Sequence, residues 1–174
     1  MIENLDQNQI IFITFAMIVS AVPVGFMAGL FGIGGGLITV PVLFYIFNSV
    51  GLDQTFIMHL AIGTSFAIII PTSISSVVTH MKYKAVDFNV VKTFGVFVIL
   101  GVIFGTLFAS NLKTSGLILF FSIMTMIFSL FFLISKEKTN PVKREINFLI
   151  KFLSGFTSGF LSAPMGIGGG IINT

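Results

Sequence analysis

Cysteine is absent from the 174 residues, which removes disulfides, thiolate metal sites and cysteine nucleophiles from consideration. Charge is scarce as well. Six acidic and nine basic side chains make up 9% of the chain, and no Asp, Glu, Lys or Arg falls centrally in any apolar block, so this stretch holds no carboxylate relay for proton coupling. The two histidines, His59 and His80, sit at opposite ends of one block, ~32 Å apart at a helical rise of 1.5 Å per residue. They cannot share a metal, and both read as interfacial. Neither a Ser/His/Asp set nor a pair of carboxylates comes within reach, so the chain does not read as an enzyme and no cofactor is expected. The net charge of +3 comes from bases in loops beside apolar blocks, where membrane topology explains them; nucleic acid is not an expected partner.

What is abundant is apolar surface. Hydrophobic residues make up 55% of the chain, Phe alone accounts for 22 of them, and the mean hydropathy is +1.08. This is no water-soluble globule. Apolar blocks run over 10–30, 33–47, 57–79, 90–109, 116–134 and 146–163, with the charges between them. The fold class expected is all-α: a polytopic helical membrane protein with helices broken at glycine-rich motifs. The block at 57–79 reaches ~34 Å as a helix, enough for a ~30 Å hydrocarbon core, whereas 33–47 reaches only ~22 Å. The N-terminal "MIENLDQNQ" has no basic n-region, so the first block is expected to stay as a span.

Lys82, Lys84 and Lys92 mark one loop as cytoplasmic, and Lys136, Lys138, Lys143 and Arg144 mark another. The turn "SNLKTS" and the connection "NSVGLDQT", poor in bases, fit the outer side. With 33–47 as a short crossing, the N-terminus lies outside and the glycine run near the inner side; with 33–47 re-entrant, the N-terminus lies inside.

"GFMAGLFGIGGGLI" from Gly25 aligns without gaps on "GFLSAPMGIGGGII" from Gly159, at a constant offset of 134 residues. Upstream, the small residues Ala21, Gly25 and Gly29 correspond to Gly155, Gly159 and Ala163. Spacing of four places each trio on one helix face, where backbones can approach closely. The organisation expected is a first transmembrane repeat over 1–134, a cytoplasmic loop over 135–145 and the start of a second repeat over 146–174. With the short crossing the copies are inverted, and the chain reads as a fragment lacking roughly a hundred residues of the second repeat.

The glycines do not make a phosphate loop. Gly32 and Gly34 would need a third glycine where Leu37 stands, and no Lys-Ser/Thr follows. Two readings stay open: close packing at a helix crossing, or a discontinuous helix whose N-terminus offers backbone N–H groups and a partial positive charge to an anion. A second feature is a hydroxyl stripe, because Ser65, Thr72, Ser76 and Thr79 fall within about 40° of one helix face at 100° per residue. Pro71 beside it should leave the Ala67 carbonyl without its usual partner. Gly101 and Gly105 form another small-xxx-small pair, read as helix packing.

These segments resemble a specific family. "GFMAGLFGIGGGLITVPVL", "HLAIGTSFAIIIPTSISSVVTHMKYKAVDF" and the returning "GIGGGII" look like the sulfite exporter TauE/SafE family of membrane permeases. The resemblance implies a multi-pass inner (plasma) membrane permease of two homologous halves, and a substrate such as sulfite, a sulfonate or a related sulfur-containing anion. It marks 32–36, 166–170 and Gly63, Thr64 and Ser65. Together with the stripe, the expected substrate-binding residues are Gly32, Gly34, Gly35, Gly36, Thr64, Ser65, Thr72, Gly166, Gly168, Gly169 and Gly170. The backbone N–H groups would hold the anion while Ser65 and Thr72 orient it. Expected partners are the lipid bilayer and the small anionic substrate, and a homo-oligomer is admissible. A scaffold that transports nothing is the competing expectation.

Overall fold

The computed structural model describes residues 6–31, 35–83, 88–134 and 148–168. Six helices follow in order: α1 Gln7–Phe31, α2 Gly36–Ser49, α3 Ile57–Lys82, α4 Phe88–Ser110, α5 Thr114–Ile134 and α6 Phe148–Met165. Each of the six apolar blocks has become one helix, and no strand occurs among the described residues. Four of the helices, α1, α3, α4 and α5, are long and apolar enough to cross a membrane.

Contacts between helix ends set the directions. Gln9 at the start of α1 donates its side-chain amide to the carbonyl of Val50, just past the end of α2, at 3.4 Å. The Thr114 hydroxyl at the start of α5 donates to the Thr55 carbonyl just before α3 at 2.6 Å. His59 Nε2, in the first turn of α3, lies 3.3 Å from the Ala109 carbonyl at the end of α4. One membrane face therefore gathers the starts of α1, α3 and α5 with the ends of α2 and α4. This is the arrangement that the short-crossing topology requires. In the connection on that face, the Thr55 backbone N–H and hydroxyl both hydrogen-bond the Asp53 carboxylate and hold its pKa below the ordinary value.

α4 and α6 are parallel and pack at backbone distance. Going up both helices together, Gly155 meets Phe94 and Phe97, Gly159 meets Val98 and Val102, Gly101 meets Phe156 and Phe160, and Gly105 meets Phe160 and Ala163. Four glycines lacking Cβ atoms let the two helices approach this closely. A row of phenylalanines flanks the seam at spacing of four: Phe152, Phe156 and Phe160 have successive ring centroids 5.9 and 6.3 Å apart. Phe97 sets its edge against Phe148 and Phe152 at 5.4 and 5.2 Å, and Phe108 lies against Phe160 at 5.5 Å. Such edge and offset contacts suit the aromatic quadrupole, and they give this phenylalanine-rich chain a use for its rings inside a lipid-like setting.

A second core joins α2 to α3. Thr39, Val40, Leu43, Ile46 and Phe47 bury one face of α2 against Ile57, Met58, Ala61 and Ile62 of α3, with Leu117, Phe121, Met165 and Ile167 closing it. Only the first half of α3 is covered, and from Pro71 to Tyr83 every residue is exposed. None of the apolar span of α1 is buried.

Candidate functional site

α1 ends at Phe31 and α2 starts at Gly36, so the glycine run falls between two helices. α2 is 14 residues long, a rise of about 20 Å, and its far end lies at the membrane face described above. Its first turn consequently starts inside the membrane thickness. Among the described residues no side chain caps that turn. Instead the Gly35 carbonyl accepts from the backbone N–H groups of Ile38 and Thr39 and from the Thr39 hydroxyl at 2.7 Å. The earliest N–H groups of any α-helix have no acceptor within it and carry the positive end of its dipole.

Directly against this turn lies the returning motif. Gly166, with φ of 62°, turns the chain out of α6 in a backbone conformation that suits glycine. A Cβ on Gly36 would collide with the Gly166 carbonyl and come within 2.7 Å of the Ile167 Cα. The Gly166 carbonyl also accepts the Ser65 hydroxyl at 2.9 Å. Ser65 is fully buried. The last glycine of the first motif, the first glycine of the second and the serine of "GTS" thus form one contact.

Beside this contact opens a cleft of about 650 Å³. Ala21, Gly25 and Gly29 form its α1 wall; Gly35, Thr39 and Leu43 line it from α2; Ser65, Ile68, Thr72, Ser73 and Ser76 form the α3 side. Gly168 also lines it. Among the described residues that line it there is no Asp, Glu, Lys, Arg or His.

The expected site residues separate into groups. Gly35, Ser65, Thr72 and Gly168 come together on the cleft, and Gly36 and Gly166 lie beneath it, pressed against each other. The two motifs do not face each other across an open pocket at Gly36 and Gly166; they touch there, because neither residue has a side chain to hold them apart. Thr64 points elsewhere. It donates to the Leu60 carbonyl and lines a different cleft, with His59, Asp53 and Phe56, since adjacent residues lie 100° apart around a helix. Gly32, Gly34, Gly169 and Gly170 lie outside the described residues.

The hydroxyls present acceptors more than donors. Ser65 gives its proton to Gly166, Thr72 to Ile68 and Ile69, Ser73 to Ile70, and Ser20 to Met17. Thr72 and Ser73 serve the carbonyls next to that of Ala67, not the Ala67 carbonyl itself. Thr79 bonds back to Ser75 and is no part of the cleft lining. Of the stripe, Ser65, Thr72 and Thr79 donate their protons to backbone carbonyls, while Ser76 lines the cleft. Thr39, Ser20 and Ser73 are cleft residues that sequence reasoning missed. Thr39 was findable as the residue four beyond Gly35, and Ser20 as the partner of Ser154 at the offset of 134.

Residues 17–174 match the family described as "Sulfite exporter TauE/SafE". The chain belongs to the TauE/SafE family. Curated relatives include a "Probable membrane transporter protein" of Haemophilus influenzae, 33% identical over 159 residues, covering 91% of this chain and 60% of that protein. A "Probable membrane transporter protein YunE" of Bacillus subtilis is 28% identical, covering 78% of this chain and 49% of that one. A Methanocaldococcus jannaschii protein, also named a probable membrane transporter, is 29% identical over 99% of this chain and 64% of its own length. The chain spans about half to two-thirds of the length of these relatives. No solved structure is a significant match. As a TauE/SafE chain with four helices of membrane-crossing length and composition, it is a membrane protein.

Proposed function

We propose that this chain forms the larger part of a permease that moves a small anion, sulfite, a sulfonate or a related sulfur-containing anion, across the inner membrane. The observation that carries the reading is the first turn of α2, which has no side-chain cap among the described residues and starts within the membrane thickness beside a cleft whose described lining holds no charged side chain. Backbone N–H groups at Gly35, Gly36 and Leu37 would hold the anion, with Thr39 and Thr72 on the walls around it. A site built from dipoles and not from lysine or arginine suits transport, because a carrier must release what it binds; a full buried counter-charge would hold an anion far more tightly. The family name and the relatives' names support transport and, in the family's case, sulfite. Gly166 and Ser65 fix the second motif against the first and do not touch the anion.

The competing reading, a scaffold whose glycines serve packing alone, draws on the closeness of Gly36 to Gly166 and of α4 to α6. Gly35→Leu separates the two. A Cβ at Gly35 meets only the Thr39 hydroxyl, at 3.4 Å, so the variant should insert and fold normally while its side chain fills the cleft. Sulfite binding to the purified chain that Gly35→Leu abolishes supports the permease; absence of binding to the unaltered chain supports the scaffold.

A further inference from the structure

The α1 wall of the cleft is a surface without a cover. Gly25 and Gly29 have nothing within 4 Å of where a Cβ would stand, and the neighbouring ridge, Ile18, Val22 and Phe26, is 64, 76 and 70% exposed. At the offset of 134 these residues correspond to Gly159 and Ala163 and to Phe152, Phe156 and Phe160. On α6 the same face is closed by α4, whose Gly101 and Gly105 sit against it at backbone distance.

We propose that the open face of α1 is the docking site for a transmembrane helix with two small residues four apart, the counterpart of α4 in a second repeat. α6 runs parallel to α4, toward the membrane face where α1 begins; the two ladder-bearing helices point in opposite directions. Inverted copies of this kind are related by a two-fold axis in the membrane plane, and a two-fold axis makes every contact between the copies occur twice. The contact of α4 with α6 has its mate in a contact of the α4 counterpart with α1. The relatives have the length for it: this chain covers only 60% of the Haemophilus influenzae protein. Part of the 650 Å³ cleft is then a helix seat, and the space left for a substrate is the portion next to Gly35, Thr39 and Thr72.

Because the chain has no cysteine, Gly25→Cys gives a single reporter. Maleimide labelling in micelles would be compared between this chain alone and the same chain continued in frame by the portion of the Haemophilus influenzae relative beyond the stretch it matches. A parallel Ala163→Cys variant, closed against α4 in both, reports that the α4–α6 seam has formed. The proposal expects position 25 to label freely in the chain alone and on the order of tenfold more slowly in the fusion, with a disulfide to a cysteine placed at a small residue of the α4 counterpart. Equal labelling in both, with position 163 protected, overturns it. So does a disulfide between two copies of the Gly25→Cys chain in place of the heterologous one, which would give the face to a second copy. Where the fusion leaves position 163 unprotected, the same labelling at the position aligned to Gly25 in a cysteine-free Haemophilus influenzae protein decides between protection and overturn.

Discussion

α1 and α6 carry one sequence pattern in two environments. Both have small residues at spacing of four, both have a large apolar residue at every fourth position beside them, and both run into "GIGGG". Yet Gly155, Ser158, Gly159, Ser162, Ala163, Pro164 and Met165 of α6 are buried, while no residue in the span of α1 is. The pattern therefore encodes a capacity for close approach, and burial follows only where a neighbour arrives. In lipid an exposed apolar face costs little, since acyl chains are as apolar as leucine, so α1 can stand uncovered where a helix of a soluble protein could not.

Substitutions at matched positions turn that comparison into measurements. The largest contrast should come from Gly159→Leu against Gly25→Leu. A Cβ at Gly159 would collide with the Val98 carbonyl and lie 2.9 Å from the Val102 nitrogen, so the first variant should lose about 3 kcal/mol or more of stability. The second should melt with the unaltered chain. Thermal unfolding in detergent followed by circular dichroism reads both. Gly36→Ala comes next. One methyl group collides with the Gly166 carbonyl, which should pull the two motifs apart and lower the melting temperature, whereas Gly35→Ala, one residue earlier, should leave it unchanged.

Ser65→Ala should have a smaller effect. It leaves the buried Gly166 carbonyl without its 2.9 Å donor, a loss of about 1–3 kcal/mol, and Ser65→Thr should recover part of it only if the added methyl is accommodated. Smallest of all is Thr72→Val. The Thr72 hydroxyl bonds carbonyls of its own helix on an exposed stretch, so stability should change by under about 0.5 kcal/mol. Any loss of sulfite binding in that variant would then report contact with the ligand and not unfolding.

Much of the fold was legible because lipid imposes a simple rule: each long apolar run must satisfy its own backbone as a helix. The six blocks became six helices, with ends moved by a few residues. The block 33–47 holds the helix Gly36–Ser49, and 33–34 lie outside the described residues. Gly101 and Gly105, read as packing residues, do pack, against Phe156, Phe160 and Ala163 of α6. What spacing could not tell was which ladder would find a neighbour, because that depends on where α4 lies in space.

The candidate site was legible in outline, and the structure adds the contacts that periodicity does not show. Periodicity placed Ser65, Thr72 and Ser76 on one face, and all three line the cleft. It could not see that a carbonyl 101 residues along the chain would accept the Ser65 proton, a bond that ties the two motifs together. Thr64 was grouped with Ser65 through the shared "GTS" and lies on another face. Thr39 belonged to no motif, though its place four beyond Gly35 pointed to the return bond that it makes to the Gly35 carbonyl.

The account rests on the backbone at the start of α2 as the anion's holder. Isothermal titration of sulfite into the purified chain in detergent, run beside Gly35→Leu, tests this most directly. The account predicts saturable binding by the unaltered chain and none by a Gly35→Leu variant with the same melting temperature. Equal binding by both would contradict it.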